Sequence, residues 1–103
     1  MSRKLIILIF LFISSILHAG ITGTLKGKIV DKETGEPLIG CNVIITGTDF
    51  GAATDLDGSY KIIKIPPGNY KVQVIMIGYA KTNISNVLIQ SDLTTTINAS
   101  LIQ

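Results

Sequence analysis

Few residues of this chain are of a type that does chemistry. The stretch TDLDGSY, residues 54–60, sets Asp55 and Asp57 one residue apart, directly ahead of Gly58. Carboxylates in D-x-D-G spacing suggest calcium, but a calcium loop of the EF-hand kind needs further oxygen ligands and an acidic residue at its twelfth position. Counted from Asp55, the fifth position is Ser59 and the twelfth is Pro66, so that pattern fails. A carboxylate pair for glycoside hydrolysis must face across a cleft at about 5–9 Å, which two acids separated by one turn residue do not offer. The stretch therefore reads as a turn between strands. Its Asp side chains accept nearby backbone N–H groups, and Gly58 supplies a positive φ. A weak surface contact to a cation is the other use of such a pair.

The remaining candidates are weaker still. Cys41 is the single cysteine, and the single histidine, His18, lies in an N-terminal apolar segment. Without an imidazole to activate it, the thiol is better suited to filling a small core site than to acting as a nucleophile. One cysteine also excludes an internal disulfide. Lys61, Lys64 and Lys71 fall on the solvent side of strand alternation, where lysine blunts sheet edges. Tyr60 and Tyr70 are in phase with aliphatic positions and are expected to pack in the core with their hydroxyls at its rim. Tyr79, after Gly78 at a strand end, is the aromatic best placed for an exposed contact. Ile75 and Ile77 are the other binding candidates. They make both faces of their strand apolar, so either a second layer covers them or they mark a partner surface. No serine–histidine pair, metal cluster or phosphate loop is present, so the reading is non-catalytic, with no cofactor and no metal.

Met1–Lys4 form a short basic start, Leu5–Leu17 an almost unbroken apolar run, and His18, Ala19 and Gly20 a small-residue exit. This order is that of a secretory signal peptide over residues 1–19, cut after Ala19 or, as the alternative, Gly20. The run is short of the about 20 apolar residues that span a bilayer, and the exported domain is not expected to cross a membrane. The formal net charge of +2 includes Arg3 and Lys4. Beyond them, seven lysines (26, 28, 32, 61, 64, 71, 81) balance seven acids (31, 33, 36, 49, 55, 57, 92). A neutral domain is not a nucleic-acid binder. The roughly 83 remaining residues must hold together by one modest hydrophobic core.

These residues read as β throughout. Short Val-, Ile-, Thr- and Tyr-rich segments alternate with Gly, Pro, Asn and Asp clusters. Strands are expected at 24–30, 41–46, a short one at 52–54, 59–65, 70–79, a weaker one within 82–89, and 93–101. Leu25, Gly27 and Ile29 form one inward stripe, Cys41, Val43 and Ile45 another, and Leu93, Thr95, Ile97, Ala99 and Leu101 a third. Turns are expected at Gly35–Pro37, at Gly40, at the Asp55–Gly58 connection, at Pro66, Pro67 and Gly68, and at Gly78. About seven short strands with regular turn signals describe an antiparallel β-sandwich of two facing sheets.

GEPLIGCNVIITGT, GAATDLDGSYKI and IPPGNYKVQVIMIGY, in that order, resemble the carboxypeptidase-regulatory-like domain family. Gly35, Pro37, Leu38, Gly40, Val43, Gly47, Thr48, Gly51, Thr54, Asp55, Asp57, Gly58, Tyr60, Pro66, Pro67, Gly68, Tyr70, Gly78 and Tyr79 match its pattern. Cys41 stands where the family usually has alanine, a small apolar exchange. The resemblance covers nearly all of the domain, residues 22–103. It implies a transthyretin-like, seven-stranded sandwich with no activity of its own. A domain of this kind directly after a signal peptide resembles the N-terminal periplasmic extension of TonB-dependent outer-membrane receptors of Gram-negative bacteria, which serve solute uptake. Its expected partners are proteins of the cell envelope or a following plug and barrel. The alternatives are a free-standing secreted module that binds carbohydrate or protein, and a segment of a cell-surface adhesin.

Overall fold

The computed structural model describes residues 21–103; the proposed signal peptide lies outside them. Eight strands follow one another: β1 (Gly23–Asp31), β2 (Asn42–Ile45), β3 (Gly51–Ala53), β4 (Ser59–Ile65), β5 (Gly68–Ile75), β6 (Thr82–Ile89), β7 (Thr94–Thr96) and β8 (Ala99–Leu101). They form two sheets. One has β1 at its centre, flanked by β4 on one side and by β7 and then β8 on the other; the second runs β3-β2-β5-β6. Between them lie Leu25, Ile29, Tyr60, Ile62, Ile65 and Leu101 from the first sheet, and Val43, Ile45, Val72, Val74, Val87 and Ile89 from the second. Each buried aliphatic side chain contributes about 1.5–3 kcal/mol by leaving water, and these two stripes are the source of the fold's stability. The all-β sandwich expected from the alternation is what forms.

Three local features depart from simple alternation. In β4 the register against β1 shifts between the Leu25↔Ile62 and Gly23↔Ile65 pairs, with Lys64 at φ 59°. This bulge adds one residue, so Ile63 points outward, 53% exposed, while Ile65 returns to the core. In β6 a second shift, with Asn86 at φ 60°, brings Val87 and Ile89 inward. That bulge is why TNISNVLI shows only weak alternation.

The last strand is also interrupted. The expected 93–101 strand divides into β7 and β8 around Ile97 and Asn98. There the Asn98 Oδ1 accepts the Lys28 backbone N–H at 2.8 Å, and the Ile97 N–H donates to Lys26 O at 2.8 Å, which splices the ladder across the break. Leu93, expected inside, is 55% exposed at the turn before β7. Both β7 and β8 run parallel to β1, not antiparallel. The chain leaves β6 at the end where β1 begins, crosses to the other sheet through residues 90–93 and follows β1 to its far end. The described chain therefore enters at one end of the sandwich and leaves at the other.

The break in the last strand depends on Gly27. A Cβ there would overlap the carbonyl oxygen of Ile97. Tyr60, paired with Gly27 across β1 and β4, donates its hydroxyl to that same oxygen at 2.7 Å. Tyr60 packs in the core as expected, and burial pushes its pKa up to about 12.

Candidate functional site

The conspicuous acidic turn is built from one carboxylate. Asp55 Oδ1 accepts the N–H groups of Asp57 at 2.9 Å and Ser59 at 3.0 Å. The backbone closes the same loop, with Asp55 N–H donating to Ser59 O and Gly58 N–H to Asp55 O, both at 2.9 Å. Asp57 contributes its N–H and keeps its side chain in solvent, so of the two expected turn carboxylates Asp55 makes the bonds. Gly58, at φ 75°, is buried; a Cβ would lie 2.6 Å from Ile29 O and 2.8 Å from the Pro37 Cβ. Thr54 before them is buried, and its hydroxyl accepts the Cys41 N–H at 2.9 Å and donates to Leu38 O. The heptapeptide thereby fastens the 38–41 loop to the β3–β4 connection.

A carboxylate without any sequence motif is more constrained. Asp31, at the end of β1, is buried, and its Oδ1 accepts the N–H groups of Glu33 at 2.8 Å and Thr34 at 3.1 Å. Its Oδ2 accepts the Tyr79 hydroxyl at 2.7 Å, across 48 positions of sequence. The Tyr79 hydrogen bond, then those from Thr34 and Glu33, hold the Asp31 carboxyl below the usual carboxylate range. The same bond, helped by burial, pushes the Tyr79 pKa up. Tyr79, expected as the exposed aromatic, is half-buried and packed against the core. The tyrosine was visible in sequence; its partner was not, because only the fold brings residue 31 to residue 79.

Cys41 is fully buried, donates its Sγ–H to Ile75 O at 3.4 Å, and has its pKa raised by burial. Strand β5 ends at Ile75, four residues short of the expected end. Ile75 is half-buried, whereas Ile77 lies in the following turn at 96% exposure. Among the described residues no second layer covers Ile77, and the strand expected to run to Tyr79 with both faces apolar stops before it. The turn closes through Tyr79 N–H to Met76 O at 3.1 Å, with Gly78 at φ 87°. Among the other turn positions, Gly35 and Gly40 also have positive φ, and Pro37 bridges to Val30. Pro66 O accepts the Tyr70 hydroxyl at 2.6 Å, and Gly68, expected in the Pro66–Pro67 connection, already belongs to β5.

The lysines are regrouped by the fold. Lys61, Lys64 and Lys71 do not form a strip: Lys64 sits in the β4 bulge and Lys71 is on the other sheet. Lys61 instead pairs across the ladder with Lys26, and with Lys28 these line an open groove. Among the described residues no three His, Cys, Asp or Glu side chains gather as a metal site.

A carbonyl-ended seam, local turns and a plain aliphatic core describe a scaffold, and comparison with known proteins gives it a family. The family model for the CarboxypepD_reg-like domain matches residues 25–102. The chain belongs to this family. Over 74 residues it is 39% identical to TonB-dependent receptor SusC of Bacteroides thetaiotaomicron, a match covering 67% of this chain and 7% of that receptor. It is 37% identical over 71 residues to TonB-dependent receptor P3 of Formosa agariphila, covering 61% of this chain and again 7% of the relative. Among solved structures it is similar to a chain of a type II cohesin–X–dockerin complex from Acetivibrio cellulolyticus, at 27% identity and a TM-score of 0.65, covering 78% of this chain and 55% of that one. Family and fold are those of non-catalytic β-sandwich domains.

Proposed function

We propose that this CarboxypepD_reg-like domain is the N-terminal periplasmic accessory domain of a TonB-dependent outer-membrane receptor, exported by its leader and engaged in solute uptake without chemistry of its own. The observation that carries this reading is the 39% identity to a TonB-dependent receptor over most of the described fold. The topology fits it. Because β8 runs parallel to β1, the chain enters and leaves at opposite ends, which suits a domain threaded in line between a leader and a plug and barrel. The turns and the Asp31–Tyr79 pair then serve to hold a compact spacer, and partners are met through its surface.

An antibody raised against the domain tests this on fractionated cells of the source bacterium. The expected signal is an outer-membrane band of full receptor size. A soluble species with the mass of the chain alone would overturn the receptor reading and favour the second one, a free-standing binding module, for which the lysine-lined groove is the supporting observation.

A further inference from the structure

We infer that the outer face of the β4–β1–β7/β8 sheet binds an anionic oligosaccharide, carboxylated or sulfated along its length. An open groove of about 620 Å³ lies where this face meets β3, lined by Lys26, Lys28 and Lys61 together with Ser59, Thr96 and Asn98, and on its far side by Ala52 and Ala53 of the other sheet. Strand register assembles it. Lys26 and Lys28 project from one side of the central strand, Lys61 of β4 is the direct partner of Lys26, and Thr96 of β7 is its partner on the other side. Ser59 faces Lys28 in the same way, and Asn98 uses its Oδ1 on the Lys28 N–H, which leaves its amide nitrogen as a spare donor. The groove is thus a field of donors. Its one lining carboxylate, Asp55, already has Oδ1 committed to its own turn.

The Lys26–Lys61 pair needs a reason beyond folding. Like charges directly opposite each other on a ladder repel and destabilise the sheet, while the apolar face beneath is secured by Leu25, Ile29 and Ile62 regardless. An anion lying between the two ammonium groups converts that repulsion into attraction. The groove's construction also selects the class of anion. β1, over which the lysines lie, is paired on both sides, whereas β4 and β3 at the side of the groove are edge strands; a peptide added to such an edge is the competing occupant, and poly-glutamate reports it in the test below. Tyr60, the aromatic in the lining, is 5% exposed, so there is no stacking platform for nucleobases. Hydroxyl, amide and ammonium donors spread along an open trough suit the hydroxyls and repeated charges of an acidic glycan. This inference does not depend on the receptor reading.

Calorimetric titration of the protein with polygalacturonate and with dextran sulfate tests it, with neutral dextran and poly-glutamate as comparisons. The expected result is binding of at least one acidic glycan, none of neutral dextran, and a loss that deepens with salt, since exposed charges are screened over about 8–10 Å at physiological ionic strength. The two acidic glycans separate carboxylate from sulfate preference. Lys26→Gln/Lys61→Gln should weaken binding about tenfold, while Lys71→Gln, outside the groove, leaves it unchanged. The double variant should melt no lower than the parent. Failure of both acidic glycans to bind, equal loss in Lys71→Gln, poly-glutamate binding as tightly as the glycans, or a lowered melting point of the double variant would each overturn the assignment.

Discussion

Around Gly27, three segments far apart in sequence meet with no room for a side chain. Around Asp55, five consecutive residues close on one another with solvent beyond. The first lies within one sheet and the second in the connection between the two sheets, yet both rest on one accepting oxygen: Ile97 O takes the Tyr60 hydroxyl, and Asp55 Oδ1 takes two backbone N–H groups. They differ in what can give way. A local turn loses a hydrogen bond and frays into water, at a cost of about 1 kcal/mol. A seam between strands has two backbones already fixed by their ladders, so an added atom must move a strand. The Asp31–Tyr79 pair stands between these cases, with local bonds on one oxygen and a long-range bond on the other.

The sharpest way to break the comparison is Gly27→Ala. The new methyl has to displace the Ile97 carbonyl, and a loss of more than about 3 kcal/mol in urea unfolding is expected. A loss under about 1 kcal/mol would show that the seam yields like a turn. Tyr79→Phe comes next, with a melting point lowered by about 5 °C at neutral pH. Its pH dependence is signed. The Asp31 pKa is depressed in the fold, so the stability it confers is present above the unfolded value of about 3.9 and is lost as pH falls through the folded value. The difference between parent and Tyr79→Phe should therefore be constant through neutral pH and shrink in acid. It should shrink in alkali too: the Tyr79 pKa is raised in the fold, so the stability its hydroxyl confers is present below the unfolded value of about 10 and is lost as pH rises through the folded value. A difference unchanged down to strongly acidic pH would mean that the pair is not held by charge. The smallest effects belong to the motif that looks most functional. Asp55→Ala should cost about 1 kcal/mol, and Asp57→Ala less than about 0.5 kcal/mol, both read by denaturant midpoint. Equal costs would mean that Asp57 also closes the turn.

Much of this fold was legible in sequence because β-structure announces itself wherever one face is wet. Lys26 and Lys28 alternating with Leu25, Gly27 and Ile29 specify a half-buried strand, and β1 forms where expected. Asp55 and Gly58 carry turn chemistry within a few residues of themselves, and the turn is where they put it. The bulges were not legible. Ile63 and Ile65 are chemically equivalent, and only the register against β1 sends one out and the other in. Ile77 failed for a related reason: apolar character continues past Ile75, but the chain turns at Gly78 and the strand stops.

Local side-chain chemistry therefore established strands, turns, a two-faced core and the family pattern, because each of these is written within a few residues and repeats with the pleat. Pairing across the fold settled the rest. It turned the last strand parallel to the first, placed the Tyr79 hydroxyl on Asp31, set Gly27 beneath Ile97 and brought Lys61 opposite Lys26. None of these neighbours is near in sequence. Each follows from which strand lies beside which, and that is decided by the burial of both sheets at once.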